Sequence, residues 1–434
     1  MGKLAFTFSL NHAIVLRKQN EMISRRSFLV MAAKATSLLG SLGLAGSRLF
    51  APGTSRLAFG DRAFASDYEE EMLRVAPRAR FWASVASAGR DCRQCHDAKE
   101  TLTKVPHTHA QNLVKCLLCA RQCVILPGSR GKCRARKNVD GQLRSLVYGR
   151  PIAVHTDPIE KKPFYHYLPG SAAYSLATSG CPLTCKFCQN WQISQASPED
   201  YQAPFTPPAS VVDGASSRTA PVIAFTYNEP TVFTEYMLDI AMEARKRRIR
   251  SVLVSCGFMN EAPLKEMCGV LGAIKIDLKG FSDQFYRDVC GAELRPVLRS
   301  IKQIAKSRAH LEIVNLVVPT LNDSEKMLEG LADWVVGELG PDVPVHFTRF
   351  HPDYQMPHLP PTPVETLEHA RRIALAKGMR YAYVGNVPGH PGNNTYCPSC
   401  GKTVIKRDSF FLVEMHLKEG RCVYCDGKIA GVWR

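Results

Sequence analysis

Between residue 171 and about residue 385 the chain alternates short apolar runs with longer amphipathic stretches. The runs 174–178, 221–226, 251–255, 273–277, 311–318, 343–350 and 380–384 are five to eight residues long, the length and texture of buried strands. Between them the apolar period changes to three and four. In 231–247, Phe233, Tyr236, Met237, Ile240 and Ala244 fall on one helical face. Further helices are expected near 261–270, 295–308, 323–338 and 364–378. Strand–helix alternation implies a parallel sheet with right-handed crossovers. About six such units close partly into a barrel, so the expected fold is α/β, a partial (β/α)6 TIM-like barrel whose reactive end is the C-terminal rim of the strands.

The flanks break this rhythm and divide the chain. Residues 1–65 read as a leader, 66–113 as a charged connector, 114–170 as a cysteine-rich N-terminal module, 171–390 as the core barrel and 391–434 as a small C-terminal module. In the leader, Ser24-Arg25-Arg26-Ser27-Phe28-Leu29 precedes a moderately apolar stretch and Ala63-Phe64-Ala65, the layout of a twin-arginine export signal with an A-x-A cleavage site. Lys34 and several Ser and Gly residues make that stretch a poor membrane span, so no transmembrane anchor is expected.

The formal charge of +17 is uneven. It amounts to about +7 in 1–65, about +8 in 66–180 and only about +2 beyond. No aromatic-rich RNA-binding motif accompanies the basic segment. It therefore reads as a solvated basic face able to attract an acidic partner protein or an anionic lipid surface, not as a nucleic-acid site.

Sixteen cysteines change the picture more than charge does. Thirteen of them stand in tight groups, which reads as metal or cluster binding and not as a disulfide scaffold. Cys181, Cys185 and Cys188 follow the first core strand at C-x3-C-x2-C spacing, on the expected reactive rim. A four-iron cluster normally takes four thiolates. Three leave one iron open to a ligand that is not protein. Cys116, Cys119, Cys123 and Cys133 supply four thiolates, sufficient for one closed site, either tetrahedral zinc or a second iron–sulfur cluster. Cys397-x2-Cys400 and Cys422-x2-Cys425, with strand-like sequence between, read as a zinc ribbon. Cys92, Cys95 and His96 form a CxxCH, formally a haem c attachment motif, or else extra redox or metal-binding cysteines.

The three-cysteine loop, with Phe187 before its last cysteine, resembles the signature of the radical S-adenosylmethionine (SAM) superfamily. The resemblance implies a 4Fe-4S cluster on Cys181, Cys185 and Cys188, SAM on the open iron, and reductive cleavage of SAM to a 5′-deoxyadenosyl radical that abstracts hydrogen from a substrate. It further implies SAM contacts at later strand ends. Glu229, in Tyr227-Asn228-Glu229-Pro230, occupies the place of the family's Gly-Gly-Glu motif, here without the glycines. Asp277-Leu278-Lys279 resembles the Asp-x-Lys of glycyl radical enzyme activases, and His351 resembles another SAM-proximal position. Cys256 stands at a strand end where relatives often carry Asn.

From about residue 114 onward, motifs such as Asp157–Pro163, Thr226–Pro230, Arg349–Asp353, Gly385–His390 and Lys428–Trp433 resemble the radical SAM component of the AmmeMemoRadiSam system, a relative of pyruvate formate-lyase activating enzymes. That resemblance implies an oxidoreductase acting with a low-potential electron donor and with Memo-type and AMMECR1-type proteins, on a substrate it does not identify. Two alternatives stay open: an activase that places a glycyl radical on a partner protein, and a cell-envelope electron-transfer protein without SAM chemistry. Export would place the chain in the periplasm, whereas SAM dependence points to the cytoplasm.

Overall fold

The computed structural model describes residues 60–85 and 112–434. The twin-arginine motif and Cys92, Cys95 and His96 lie outside the described residues. Helix α1 (Gly60–Val75) runs across the expected leader boundary at residue 65. It stops before Pro77, because the residue before a proline disfavours helical backbone. The chain then turns into strand β1 (Trp82–Ser84). Strand β1 pairs with β2 (Val114–Cys116), which pairs with β3 (Val124–Ile125). A hairpin of β4 (Arg136–Val139) and β5 (Gln142–Ser145) completes the N-terminal module.

The core is one eight-stranded sheet. Its strands are β6 (Ala153–Pro158), β7 (Ala172–Ala177), β8 (Val222–Phe225), β9 (Arg250–Ser255), β10 (Ala273–Asp277), β11 (His310–Val317), β12 (Val345–Arg349) and β13 (Ala382–Gly385), in that spatial order. All seven expected strands are present as β7 to β13, each parallel to the next. Strand β6, antiparallel at one edge, was not expected. None of its six residues is buried and only Ala153 and Val154 open it with an apolar pair, so no apolar run announces it. β6 and β13 remain as edges, and the barrel is partial.

Crossover helices cover the outer face: α2 (Pro208–Ser217), α3 (Thr234–Lys246), α4 (Glu261–Val270), α5 (Leu294–Ala305), α6 (Glu325–Leu339) and α7 (Val364–Ala376). The two-residue period of strands divides the sheet. Leu176, Ile223, Phe225, Leu253, Ile274, Ile276 and Ile313 pack outward with the helices in the main core. Small residues of the opposite parity (Ala173, Val222, Ala224, Val252, Ala273) face inward against Ile159, Phe164 and Tyr167. This segment after β6 plugs the bottom of the barrel. Buried Glu312 pins it by accepting the backbone N–H groups of Tyr165 (3.0 Å) and His166 (2.8 Å) and an imidazole bond from His346 (2.7 Å). The concave face opens into a cavity at the C-terminal ends of the strands.

The C-terminal module contains β14 (Thr395–Tyr396), β15 (Thr403–Asp408) and β16 (Phe411–Met415) as an antiparallel sheet, then the short hairpin β17 (Leu417–Lys418) and β18 (Arg421–Cys422). It packs on the barrel floor through Tyr165, Tyr381 and Tyr383. Among the described residues no helix is long and apolar enough to cross a membrane.

Candidate functional site

Strand β7 ends at Ala177 and the chain enters the cysteine loop through Gly180. Gly180 has φ +95°, and a Cβ there would stand 2.3 Å from the Cys133 carbonyl oxygen, so only glycine lets the loop pass this close to the N-terminal module. Asn228 Nδ2 donates to the Gly180 carbonyl (2.9 Å). The backbone N–H groups of Thr184 and Lys186 donate to the carbonyls of Cys290 and Val289 (both 3.0 Å), strapping the loop to the turn before α5. Held this way, Cys181, Cys185 and Cys188 all open into one cavity of about 330 Å³ at the rim. Burial pushes the Cys181 and Cys188 thiols up, while a hydrogen bond from the Cys290 thiol holds Cys185 down. Cys290 is a neighbour that spacing along the chain does not reveal.

Successive strand ends build the rest of the cavity. After β8, Tyr227 adopts φ +70°, the left-handed region that few non-glycine residues occupy. Asn190 Nδ2 secures its carbonyl (2.9 Å). Buried Glu229 caps the turn Pro230–Phe233 by accepting from Thr231 N–H (3.1 Å). It also accepts from Thr231 Oγ1 (2.5 Å), from Ser255 Oγ (2.7 Å) and from the Cys256 backbone N–H (2.7 Å). It therefore ties the rims of β8 and β9 together while lining the cavity. Cys256 lines it too, its thiol pushed up by burial and by the nearby Glu229.

On β10, Lys275 and Asp277 share the inward face and form an ion pair, which Lys279 joins from the loop (Nζ to Asp277 Oδ2, 3.3 Å). Burial opposes ionisation of Asp277, yet Lys275 and Lys279 hold its carboxyl below the usual range. Lys275 is pushed down by burial in spite of Asp277. Across the cavity, Asp157 Oδ2 accepts from Lys162 Nζ (2.7 Å) and Tyr227 OH (3.0 Å). Burial works against Asp157, but its bonds to Lys162 and Lys161 hold the carboxyl at about 2. Lys162, Tyr227 and Lys275 are lining residues that motif comparison did not single out. Lys275 was legible in principle, two residues before Asp277 on one strand.

Glu229, Asp277 and Lys279 thus meet the three cysteines in one cavity. His351 does not join them. It is exposed and lines an adjoining depression with Arg349, Phe350 and Pro361, which meets the main cavity at Lys161, Gln189 and Asn386.

The two four-cysteine sets differ in geometry. Cys397, Cys400, Cys422 and Cys425 bring all four sulfurs within 4.8 Å of one another. Cys397–Cys425 and Cys400–Cys422 lie at 3.6 and 3.8 Å. Four sulfurs at tetrahedral Zn–S distance stand about 3.8 Å apart, so this set is compatible with a zinc ribbon. Cys116, Cys119, Cys123 and Cys133 instead surround a small separate cavity beneath the cysteine loop.

The sequence model of the Radical SAM superfamily matches residues 175–335. An uncharacterized protein of Methanocaldococcus jannaschii, MJ0808, is 42% identical over 320 residues, which span 73% of this chain and 95% of that protein. The chain belongs to the radical SAM superfamily. It is also similar to the benzylsuccinate synthase activating enzyme of Thauera aromatica, 21% identical over 186 residues, 40% of this chain and 56% of that enzyme. Among solved structures, a domain of pyruvate-formate lyase-activating enzyme from Bacteroides vulgatus aligns with 38% of this chain and 98% of its own at 17% identity and a TM-score of 0.34. Membership implies a 4Fe-4S cluster and SAM.

The cavity fits both groups. Three thiols converge on it from one loop while no fourth cysteine of that loop closes the set. Cations and carboxylates of opposing sign line its walls, and Asn228 Oδ1 is buried there without a partner.

Proposed function

We propose that this chain is a radical SAM oxidoreductase that abstracts a hydrogen atom from a substrate held at the barrel mouth. The observation that carries the reading is the convergence of Cys181, Cys185 and Cys188 with Glu229, Asp277 and Lys279 in one rim cavity. When bound, the cluster and SAM supply an electron-driven cleavage that gives a 5′-deoxyadenosyl radical. The chain's own residues bind, orient and shield. Cys181, Cys185 and Cys188 would hold the cluster as thiolates. The Glu229 carboxylate, fixed by four donors, presents a rigid negative charge to an ammonium group. Asp277 accepts hydroxyl donors, and Lys279 offers its ammonium to a carboxylate. Leu183, Phe187, Val314 and Leu316 exclude water from the cavity wall. His351 stands at the entrance, and Lys162 with Tyr227 forms the wall that meets substrate.

Several finer assignments belong to the same proposal. The C-terminal four-cysteine set holds zinc and fastens the ribbon. The chain is the radical SAM member of an AmmeMemoRadiSam system and works with Memo-type and AMMECR1-type partners, a reading supported by the motifs from residue 114 onward. A second reading, activation of a glycyl radical enzyme, is favoured by the Asp277-Leu278-Lys279 motif and by similarity to the benzylsuccinate synthase activating enzyme.

The test is anaerobic reconstitution of the full chain with iron and sulfide, reduction by dithionite and addition of SAM. 5′-Deoxyadenosine should form, and Cys181→Ala should abolish it. A reconstituted protein that makes none, or a Cys181→Ala variant as active as wild type, rejects the reading.

A further inference from the structure

The cavity beneath the cysteine loop is bounded by Cys116, Cys119, Cys123, Cys133, Arg136 and Pro182. Four cysteines alone admit zinc or an iron–sulfur cluster. Two observations separate these possibilities. First, among the described residues only the C-terminal set gathers three or more ligand atoms within 4.8 Å of one another. The N-terminal four do not close up to the spacing a single zinc ion requires, about 3.8 Å between sulfurs. They stand around a void instead. In a four-iron cluster each thiolate binds a different iron, so its sulfurs must stand farther apart than they do around one ion.

Second, Arg136 is 1% exposed and lines this void. Its Nη2 pairs with Glu235 (2.6 Å), yet its Nε and Nη1 are buried with no partner. Leaving two donors of a cation unsatisfied in a core is costly unless an anion answers them. A cluster ligated by four thiolates carries net negative charge and sulfur acceptors, and it would satisfy both donors.

We propose that Cys116, Cys119, Cys123 and Cys133 hold a second 4Fe-4S cluster, with Arg136 as its buried counter-ion. With all four irons ligated it has no open position, so it can only carry electrons. Pro182 of the SAM-cluster loop forms part of its wall, and Gly180 packs on the Cys133 carbonyl. Cys181 of the rim set is thus chain-adjacent to the wall of the second cavity. The second cluster accepts one electron from a low-potential protein donor and passes it to the rim cluster, a role that rests on the function proposed above.

The test uses the full chain with Cys181, Cys185 and Cys188 all changed to Ala, purified anaerobically and reconstituted. It should keep about four irons and four sulfides per chain, with about one zinc in the ribbon. Its reduced EPR signal should not respond to SAM. About two zincs and no iron, or no metal beyond the ribbon's, overturns the assignment. Because this variant lacks the rim cluster, its iron content is independent of whether wild type cleaves SAM. Failure here and failure of the enzymatic reading are therefore distinguishable. In wild type, freeze-quenching after mixing with reduced flavodoxin should show the SAM-insensitive signal appearing first. Reduction of the SAM-responsive cluster first, or of both together, removes the relay role.

Discussion

At the level of single residues, the rim is held by groups doing two tasks at once. Glu229 is both the cap of a turn and a wall of the cavity, and its motif position made it visible before its four hydrogen bonds were known. Lys162 was not singled out, since a lysine in a turn carries no mark of the tyrosine hydroxyl and cavity it will meet in space. His166 is completely buried between the C-terminal module and the barrel. Its Nδ1 donates to the Ala430 carbonyl, and its Nε2 shares a hydrogen bond with Tyr383 OH. Burial pushes it down to about 3 against the opposing pull of Glu312. An unfolded imidazole binds a proton below about 6.5, whereas the folded one does not until about 3, so stability is complete above the higher value and lost as pH falls toward the lower. Between pH 7.5 and 5.5 this residue should remove about 1.4 kcal/mol from the unfolding free energy. Urea titrations of wild type and His166→Asn check this. The variant should be less stable at pH 7.5 and should lack that part of the acid-dependent loss. An equal loss in both proteins contradicts it.

Among the elements, those set by a clean period were readable. All seven parallel strands and the helices from α3 onward stand within a few residues of their expected places. Edge strand β6 was not readable, because its polar face meets solvent and its register depends on β7 alone. Helix α2, with three Ser and one Gly in ten residues, shows too weak an apolar stripe to announce itself. The convergence of the four C-terminal cysteines was legible from their spacing, but the docking of their module was not. That docking runs through Arg407, whose guanidinium donates to the Tyr165 carbonyl (2.8 Å) and to Thr395 Oγ1 (2.9 Å). A module this small has little apolar core, so a bound metal contributes much of its folding energy. Removing zinc with a chelator should therefore unfold the ribbon while the barrel persists. The readout is the fluorescence of Trp433, which packs in the ribbon–barrel cluster. An unchanged Trp433 signal after zinc has left would mean that the ribbon stands without metal.

At the scale of the whole molecule, the architecture assigns each cysteine set its place. Parallel strands direct their C-terminal ends to one rim, the loop after β7 delivers three thiols there, and the N-terminal module brings four more directly beneath. The sequence spacing showed how many ligands each set offers, whereas which sulfurs draw together and which stand around a small cavity became readable only in three dimensions. The central claim is that the rim cluster keeps one iron open for SAM. EPR of the reduced, reconstituted full chain recorded with and without SAM tests it most directly. One of the iron–sulfur signals should change its g-values when SAM is added, and that responsive signal should be missing when Cys185 is replaced by Ala. Spectra identical with and without SAM would contradict the account.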